Sequence, residues 1–198
     1  MAILFEQDLL VGSLRLVLDC QLPRIRADYW LAWLNLAEFY AMQGLEVGAI
    51  ICLSEKFDYC YLAVPSQVVS ATSVEWLQGE TVDLISGLPI HDPLRLGTIH
   101  SHHAMDCSFS AVDDAGDLMS QAIEIHLLSR SFPNWQHDQS ICAYGRRYIL
   151  DLGLIPESED LPKTYNWQNL PIVTGWQIEL YEFFLESLII GGGYYDWF

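Results

Sequence analysis

The sequence contains few basic residues. Nine lysines and arginines stand against 26 aspartates and glutamates, which gives a formal net charge of −17 at pH 7. A surface with this balance repels the phosphate backbone of DNA or RNA, so nucleic-acid binding is disfavoured. A partner that presents a basic segment would instead be attracted to it.

Long apolar runs are also absent. The sequence has no stretch of about 18 uncharged apolar residues, so no membrane helix is predicted. Residues 1–20 are apolar, but they include Glu6 and Asp8 and lack a basic leader, which is not typical of a signal peptide. The five cysteines are scattered and form no C-x-x-C pair. This usage is typical of reduced thiols and predicts a cytoplasmic protein without membrane association.

The remaining composition is that of a folded protein. The chain has 198 residues, of which 52% are hydrophobic and 13% aromatic, enough to form one sizeable core. We predict a main domain over residues 23–155, preceded by an extension at 1–22. Residues 156–198 are predicted to form a linker, an amphipathic helix and an aromatic tail, through which a partner or a second copy could bind.

The pattern of apolar residues predicts an α+β (α/β) fold, with a mixed central β-sheet flanked by helices. Helical spacing begins after Asp28, a candidate N-cap, and stops at Gly44. Pro65 is predicted to mark a turn between two strands, and residues 76–89 an insertion with a short helix. Strands are predicted at 13–20, 47–53, 58–64, 67–74, 94–99, 123–128, 140–144 and 147–152, and a linker or surface segment at 153–173.

One group of polar residues has the spacing of a metal site. His100 and His102 are separated by one residue, so on a strand both rings lie on the same face. Gly97, in the same predicted strand, allows a neighbouring backbone to approach closely. Asp113 can supply a third ligand from the next element, which leaves a fourth position for water, as in catalytic zinc sites. Ser110 and Asp113 also form a capping-box pattern at a helix start, and the two histidines could instead be partly exposed residues at a strand end.

The pattern H-(S/T)-H, seven residues, then S-x-x-D resembles that of the JAMM (MPN-plus) metalloproteases, and every fixed position is met. The resemblance is to prokaryotic stand-alone members and implies the JAMM/MPN, cytidine-deaminase-like fold. It also implies that His100, His102 and Asp113 bind one Zn²⁺ ion. His103 stands where many members have proline, and it could be a fourth ligand only if the strand ends at His102. Cys107 could approach the metal or be an idle thiol.

The catalytic glutamate of the family follows the first long helix, at the start of an apolar strand. Glu46 occupies that place, with Glu38 and Glu55 as alternatives, although Ala49 stands where many members have glycine. The resemblance implies that Glu46 acts as general base and then acid, and that the Ser110 hydroxyl stabilises the oxyanion. Without the resemblance, Glu46 would be a solvent-facing residue at a strand start.

The expected activity is hydrolysis of isopeptide or peptide bonds at the C-terminus of ubiquitin or a ubiquitin-like protein, as in deubiquitinases. The ubiquitin-like protein or its conjugates would be the partner, and residues 68–79 are expected to help hold its tail. Two alternatives remain: a non-catalytic MPN scaffold, or a JAMM hydrolase acting on sulfur-carrier proteins or small amino-acid conjugates. The other histidines are predicted to be structural or surface residues, namely His91, His126 and His137.

Overall fold

The computed structural model describes residues 22–103, 108–111, 113, 124–130, 135–143, 146–156 and 170–174. Within them lie one helix with defined ends and eight strands, the α+β composition that the sequence predicts. The elements are α1 (Ala27–Ala41), β1 (Gly48–Leu53), β2 (Cys60–Val69), β3 (Val74–Asp83), β4 (Leu94–His102), β5 (Glu124–Arg130), β6 (Gln136–Ala143), β7 (Arg146–Ile149) and β8 (Ile172–Thr174). The predictions for residues 13–20 and for the C-terminal helix and tail lie outside the described residues.

The strands form one mixed sheet in the order β3-β2-β1-β4-β5-β6-β7, and β8 pairs with β2. The pairs β4–β5 and β2–β8 are parallel, and the others are antiparallel. Parallel neighbours need a crossover connection, because the chain must return to the opposite end of the sheet. The crossover from β4 to β5 contains Ser110 and Asp113.

Helix α1 covers one face of the sheet with a row of buried aromatic and aliphatic residues. Trp33 is fully buried, and its Nε1–H donates to the Oγ of Ser129 on β5 over 3.0 Å. Because strand side chains alternate, His126 on β5 faces away from α1. The predicted N-cap is wrong: the cap is Arg26, and Asp28 lies in the first turn, where Arg26 binds its carboxylate. Among the described residues, no helix combines the length and apolar character that a membrane span requires.

Strands β2 and β3 differ from the prediction. Pro65 does not mark a turn, because β2 continues through it with a register shift between Pro65 and Gln67. Proline has no N–H to donate, and such an irregularity tolerates it within a sheet. The predicted insertion with a helix over 76–89 is largely β3. Most β3 residues are exposed at the sheet edge, so they lack the apolar alternation that identifies a half-buried strand.

The segment predicted as a linker over 153–173 ends in a strand. Residues 172–174 of β8 pair in parallel with residues 67–69 of β2, and the N–H of Gln67 donates to the carbonyl of Pro171. Three residues are too few to show a periodic pattern, so this strand depends on its distant partner. The strands predicted at 47–53, 94–99, 123–128, 140–144 and 147–152 are present with shifted ends.

Candidate metal centre

The end of β4 presents two histidines on the face opposite α1. The ring centroids of His100 and His102 are 5.2 Å apart. Ser101 between them points the other way and is fully buried. Its Oγ accepts the N–H of Val47 over 3.0 Å, and its N–H donates to the Val47 carbonyl over 2.8 Å. These bonds hold the segment before β1 against the strand end that carries the histidines.

Gly97 sets the distance between β4 and β5. A Cβ atom at this position would lie 1.8 Å from the carbonyl oxygen of Ile125, its partner in the parallel pair. The predicted close backbone approach is therefore confirmed, and no other residue type fits without moving the strands.

The predicted capping box is present at residues 110–113. The N–H of Ser110 donates to Oδ2 of Asp113, and the N–H of Asp113 donates to Oγ of Ser110 over 3.3 Å. Ala111 and Asp113 have helical backbone conformation. The box turns the Asp113 carboxylate towards the histidines: Oδ1 lies 3.0 Å from Nε2 of His100, and Oδ2 lies 3.9 Å from Nε2 of His102.

His100, His102 and Asp113 fit a divalent metal ion. Each offers one ligand atom, and the three atoms lie within 4.8 Å of one another. Atoms that each lie about 2 Å from one ion are roughly 3.3 Å apart in a tetrahedral site, so small side-chain rotations suffice. Nε2 of His100 is buried and, among the described residues, lacks a hydrogen bond of good geometry even to the nearby Asp113. Coordination would satisfy this nitrogen, which otherwise costs free energy.

Glu46 lies beside the three candidate ligands. Gly48 of β1 pairs with His100, so two residues further back Glu46 comes opposite His102. Its Oε1 is 3.8 Å from Nε2 of His102, and the residue is 3% exposed. Burial raises the pKa of Glu46 to about 7; His100 opposes this rise and Asp113 adds to it. A carboxyl group with this pKa can accept and return a proton near neutral pH.

Asp113 has the opposite electrostatic character. Burial acts to raise the pKa of its carboxyl, but the adjacent His100 imidazole and the hydrogen bonds from Ser110 outweigh it, and the pKa falls well below its ordinary range. Asp113 is therefore ionised at the pH at which Glu46 exchanges its proton. Two carboxyl groups with separated pKa values suit the roles of ligand and base.

A cleft of about 350 Å³ opens beside these residues. Glu46, His100 and Asp113 are among the residues that line it, and the side chain of Trp76, which also lines it, covers Gly48. A Cβ atom at Gly48 would lie 2.6 Å from Cη2 of Trp76, so this glycine provides the space that the indole occupies.

The wall of the cleft includes residues that sequence reasoning did not assign to a site. His126 is 2% exposed; its Nδ1 is 2.9 Å from Oγ1 of Thr98, and its Nε2 is 3.7 Å from a Glu124 carboxylate oxygen. The same carboxylate oxygen is 3.6 Å from Nη2 of Arg95. Thr98 faces His126 through the parallel register of β4 and β5, which no local pattern indicates.

The alternative residues named above lie elsewhere. Glu38 and Glu55 are exposed and do not belong to the group around His102. The Nε2 of His103 lies 2.9 Å from the carbonyl oxygen of Ala71, a hydrogen bond that separates it from the three candidate ligands. Cys107 lies outside the described residues.

Two other histidines occupy positions consistent with the prediction for them. The ring of His137 lies against Trp30 and Trp135, with centroids 4.9 and 6.1 Å away, and burial lowers its pKa to about 4. His91 is exposed.

These features define an α+β protein with a candidate metal centre on one face of a mixed sheet. No family model matches the chain, and a search of curated proteins finds no match.

Proposed function

We propose that this protein is a zinc-dependent JAMM-type hydrolase with the JAMM/MPN, cytidine-deaminase-like fold. Its proposed reaction is cleavage of isopeptide or peptide bonds at the C-terminus of ubiquitin or a ubiquitin-like protein. The observation that carries the proposal is the convergence of two imidazoles and one carboxylate, with Glu46 buried beside them. The mixed sheet that brings these groups together also supports it.

In this proposal His100, His102 and Asp113 hold one Zn²⁺ ion. Two nitrogen ligands and one oxygen ligand leave a position for water or substrate, the arrangement that distinguishes catalytic from structural zinc. When bound, zinc polarises the scissile carbonyl and makes water more acidic.

Glu46 is the proposed general base and acid. It takes a proton from the attacking water and passes it to the leaving amine, and its place beside the three candidate ligands suits both steps. The bonds between Ser101 and Val47 hold the segment that carries Glu46 at a set distance from the histidines.

Ser110 is the proposed oxyanion donor. Its Oγ accepts the Asp113 N–H, and the Ser110 side chain also contributes a hydrogen bond to the Asp113 carboxylate. In the proposed reaction the hydroxyl would turn its proton from that carboxylate to the substrate oxygen. The capping box thus fixes the candidate ligand Asp113 and the proposed donor Ser110 relative to each other. A donor of this kind contributes about 3 kcal/mol to stabilising a transition state.

The proposed substrate enters along β3. This strand lies at one edge of the described sheet and exposes Trp76 and Leu77, each 43% accessible. An extended tail can add to such an edge through main-chain hydrogen bonds, with Trp76 leading into the cleft. The net charge of −17 favours tails with basic residues. A hydrolase of sulfur-carrier or small amino-acid conjugates would use the same metal centre. A non-catalytic MPN scaffold would not need a complete set of metal ligands.

Zinc content and cleavage of a ubiquitin-like fusion protein, measured in parallel, test the proposal. We expect the wild type to bind one zinc ion and cleave the fusion. Glu46→Gln should keep the zinc and lose activity by roughly 10²–10⁴-fold, since only the proton acceptor is removed. His102→Ala should lose both, and His91→Ala, at an exposed histidine, should lose neither. Equal activity in all four proteins, or a wild type that binds no zinc, would contradict the proposal.

A further inference from the structure

Phe109 lies between the candidate metal centre and a cation on a distant strand. Its ring centroid is 3.8 Å from the guanidinium carbon of Arg147. The Phe109 ring also lies near the imidazole of His100. The two ring centroids are 6.3 Å apart, and the ring planes make an angle of 66°. Phe109 directly precedes Ser110, the first residue of the capping box. Phe109 therefore contacts the candidate ligand His100 and directly precedes the capping box that positions the candidate ligand Asp113.

Arg147 is held in place by the interior of the sheet. It lies on β7, and its Nη1 donates to the Oγ of Ser140 on β6 over 2.8 Å. Ser140 is fully buried, and its Oγ lies 3.4 Å from the His126 carbonyl oxygen, to which it donates. A planar guanidinium fixed by such a bond offers a flat, rigid surface for the phenyl ring.

We propose that Arg147 and Phe109 are positioning residues of the metal centre. Arg147 binds the face of Phe109, Phe109 sets the start of the capping box, and the box aims the Asp113 carboxylate at His100. Neither residue touches the reacting atoms. The inference rests on the metal-binding part of the proposed function and is independent of the substrate.

Zinc affinity, measured by competition with a chromophoric chelator, tests this assignment. We expect Arg147→Ala to weaken zinc binding by roughly tenfold, the lower end of the loss seen when residues that orient metal ligands are removed. Loss of a positive charge near the ion would by itself strengthen zinc binding, because like charges repel. A weaker affinity therefore reports the lost contact with Phe109 and not the lost charge.

Arg146→Ala is the matched control. Arg146 is the exposed neighbour on β7, and its removal changes the net charge by the same amount. We expect its zinc affinity to stay within twofold of the wild type. Phe109→Leu should weaken binding as Arg147→Ala does, and the double variant should be no weaker than either single one. Arg147→Lys should restore only part of the loss, because lysine keeps the charge without the planar stacking surface.

The absorption spectrum of the Co²⁺-loaded protein gives a second readout. Arg147→Ala and Phe109→Leu should change the ligand-field bands, while Arg146→Ala should leave them as in the wild type. Equal zinc affinities and spectra in the Arg147→Ala and Arg146→Ala variants would overturn the positioning role and leave the proposed function standing. A wild type that binds neither Zn²⁺ nor Co²⁺ would overturn both. If Arg147→Ala does not fold, the Phe109→Leu and Arg147→Lys comparisons decide the question.

Discussion

At the scale of single residues, the site contains two carboxyl groups in different surroundings. Glu46 is buried near His102, and its pKa is raised to about 7. Asp113 accepts hydrogen bonds from the first turn that it caps, and its pKa is lowered. Burial favours the neutral form of both, and only Asp113 has enough donors to reverse that effect.

The raised pKa of Glu46 predicts that the free energy of unfolding of the metal-free protein falls as the pH rises. Because the folded pKa of about 7 exceeds the ordinary 4.5, folding favours the protonated form. This stability is fully present below pH 4.5 and is lost as the pH rises through 7. Glu46→Gln should therefore match the wild type at low pH and be more stable at pH 8 by on the order of 3 kcal/mol.

Urea unfolding between pH 5 and pH 8, with a chelator present, measures this difference. For Glu55→Gln, at an exposed position, the difference in free energy of unfolding from the wild type should not change with pH. A constant difference between Glu46→Gln and the wild type across the range would mean that Glu46 does not titrate as a buried group.

At the scale of elements, β4 is the strand on which the metal centre is built. It contributes both histidines, pairs with β1 to face Glu46, and pairs in parallel with β5 so that the crossover carries Asp113. The contact of Gly97 with the Ile125 carbonyl controls how closely β4 and β5 approach.

Gly97→Ala should therefore be among the most damaging glycine substitutions. Its Cβ would meet backbone 1.8 Å away, so strands must separate, at a cost of about 3 kcal/mol. Gly87→Ala should lower the free energy of unfolding by only about 1–2 kcal/mol. A Cβ atom at Gly87 would meet no atom within 4 Å, so the cost comes only from placing an alanine at a φ of +67°. Urea unfolding gives both costs. Zinc affinity should fall in Gly97→Ala alone, and an equal cost for the two substitutions would contradict this account.

At the scale of the whole molecule, the candidate centre joins parts of the chain that are far apart in sequence. Glu46 precedes β1, the histidines end β4, and Asp113 lies in the crossover to β5. A metal ion bound to these groups exists only in the folded state, so its binding free energy adds to stability.

Zinc at about one hundred times its Kd should stabilise the protein by about 2.7 kcal/mol. For a chain of this size, that corresponds to a rise in Tm of roughly 5–10 °C, measurable by thermal unfolding. His102→Ala should abolish the rise and His91→Ala should retain it. The same rise in His102→Ala would indicate cation binding by the acidic surface at large, where the net charge is −17.

Much of the fold could be predicted where a segment is long and half-buried. Helix α1 and strands β1, β4 and β5 have apolar periodicity strong enough to identify them. The prediction is wrong at Pro65, over residues 76–89 and at residues 172–174. At Pro65 the strand β2 continues through a register irregularity that a proline in the sequence does not indicate. Residues 76–83 and 172–174 form strands by pairing with β2, and they lack an apolar pattern of their own.

The residues around the metal centre divide in the same way. His100, His102, Ser110 and Asp113 could be found from their spacing, because a strand period and a capping box are local. The cleft and positioning residues could not, because long-range pairing brings them to the site. These are Arg95, Thr98, His126 and Arg147.

Local spacing alone thus specified the ligand types and the two elements that carry them. Whether Glu38, Glu46 or Glu55 lies near them was a question that spacing could not answer. The antiparallel register of β1 and β4 places Glu46 opposite His102, and the other two glutamates are exposed. The physical reason is that side-chain direction repeats over a few residues, whereas strand pairing joins residues more than 50 positions apart.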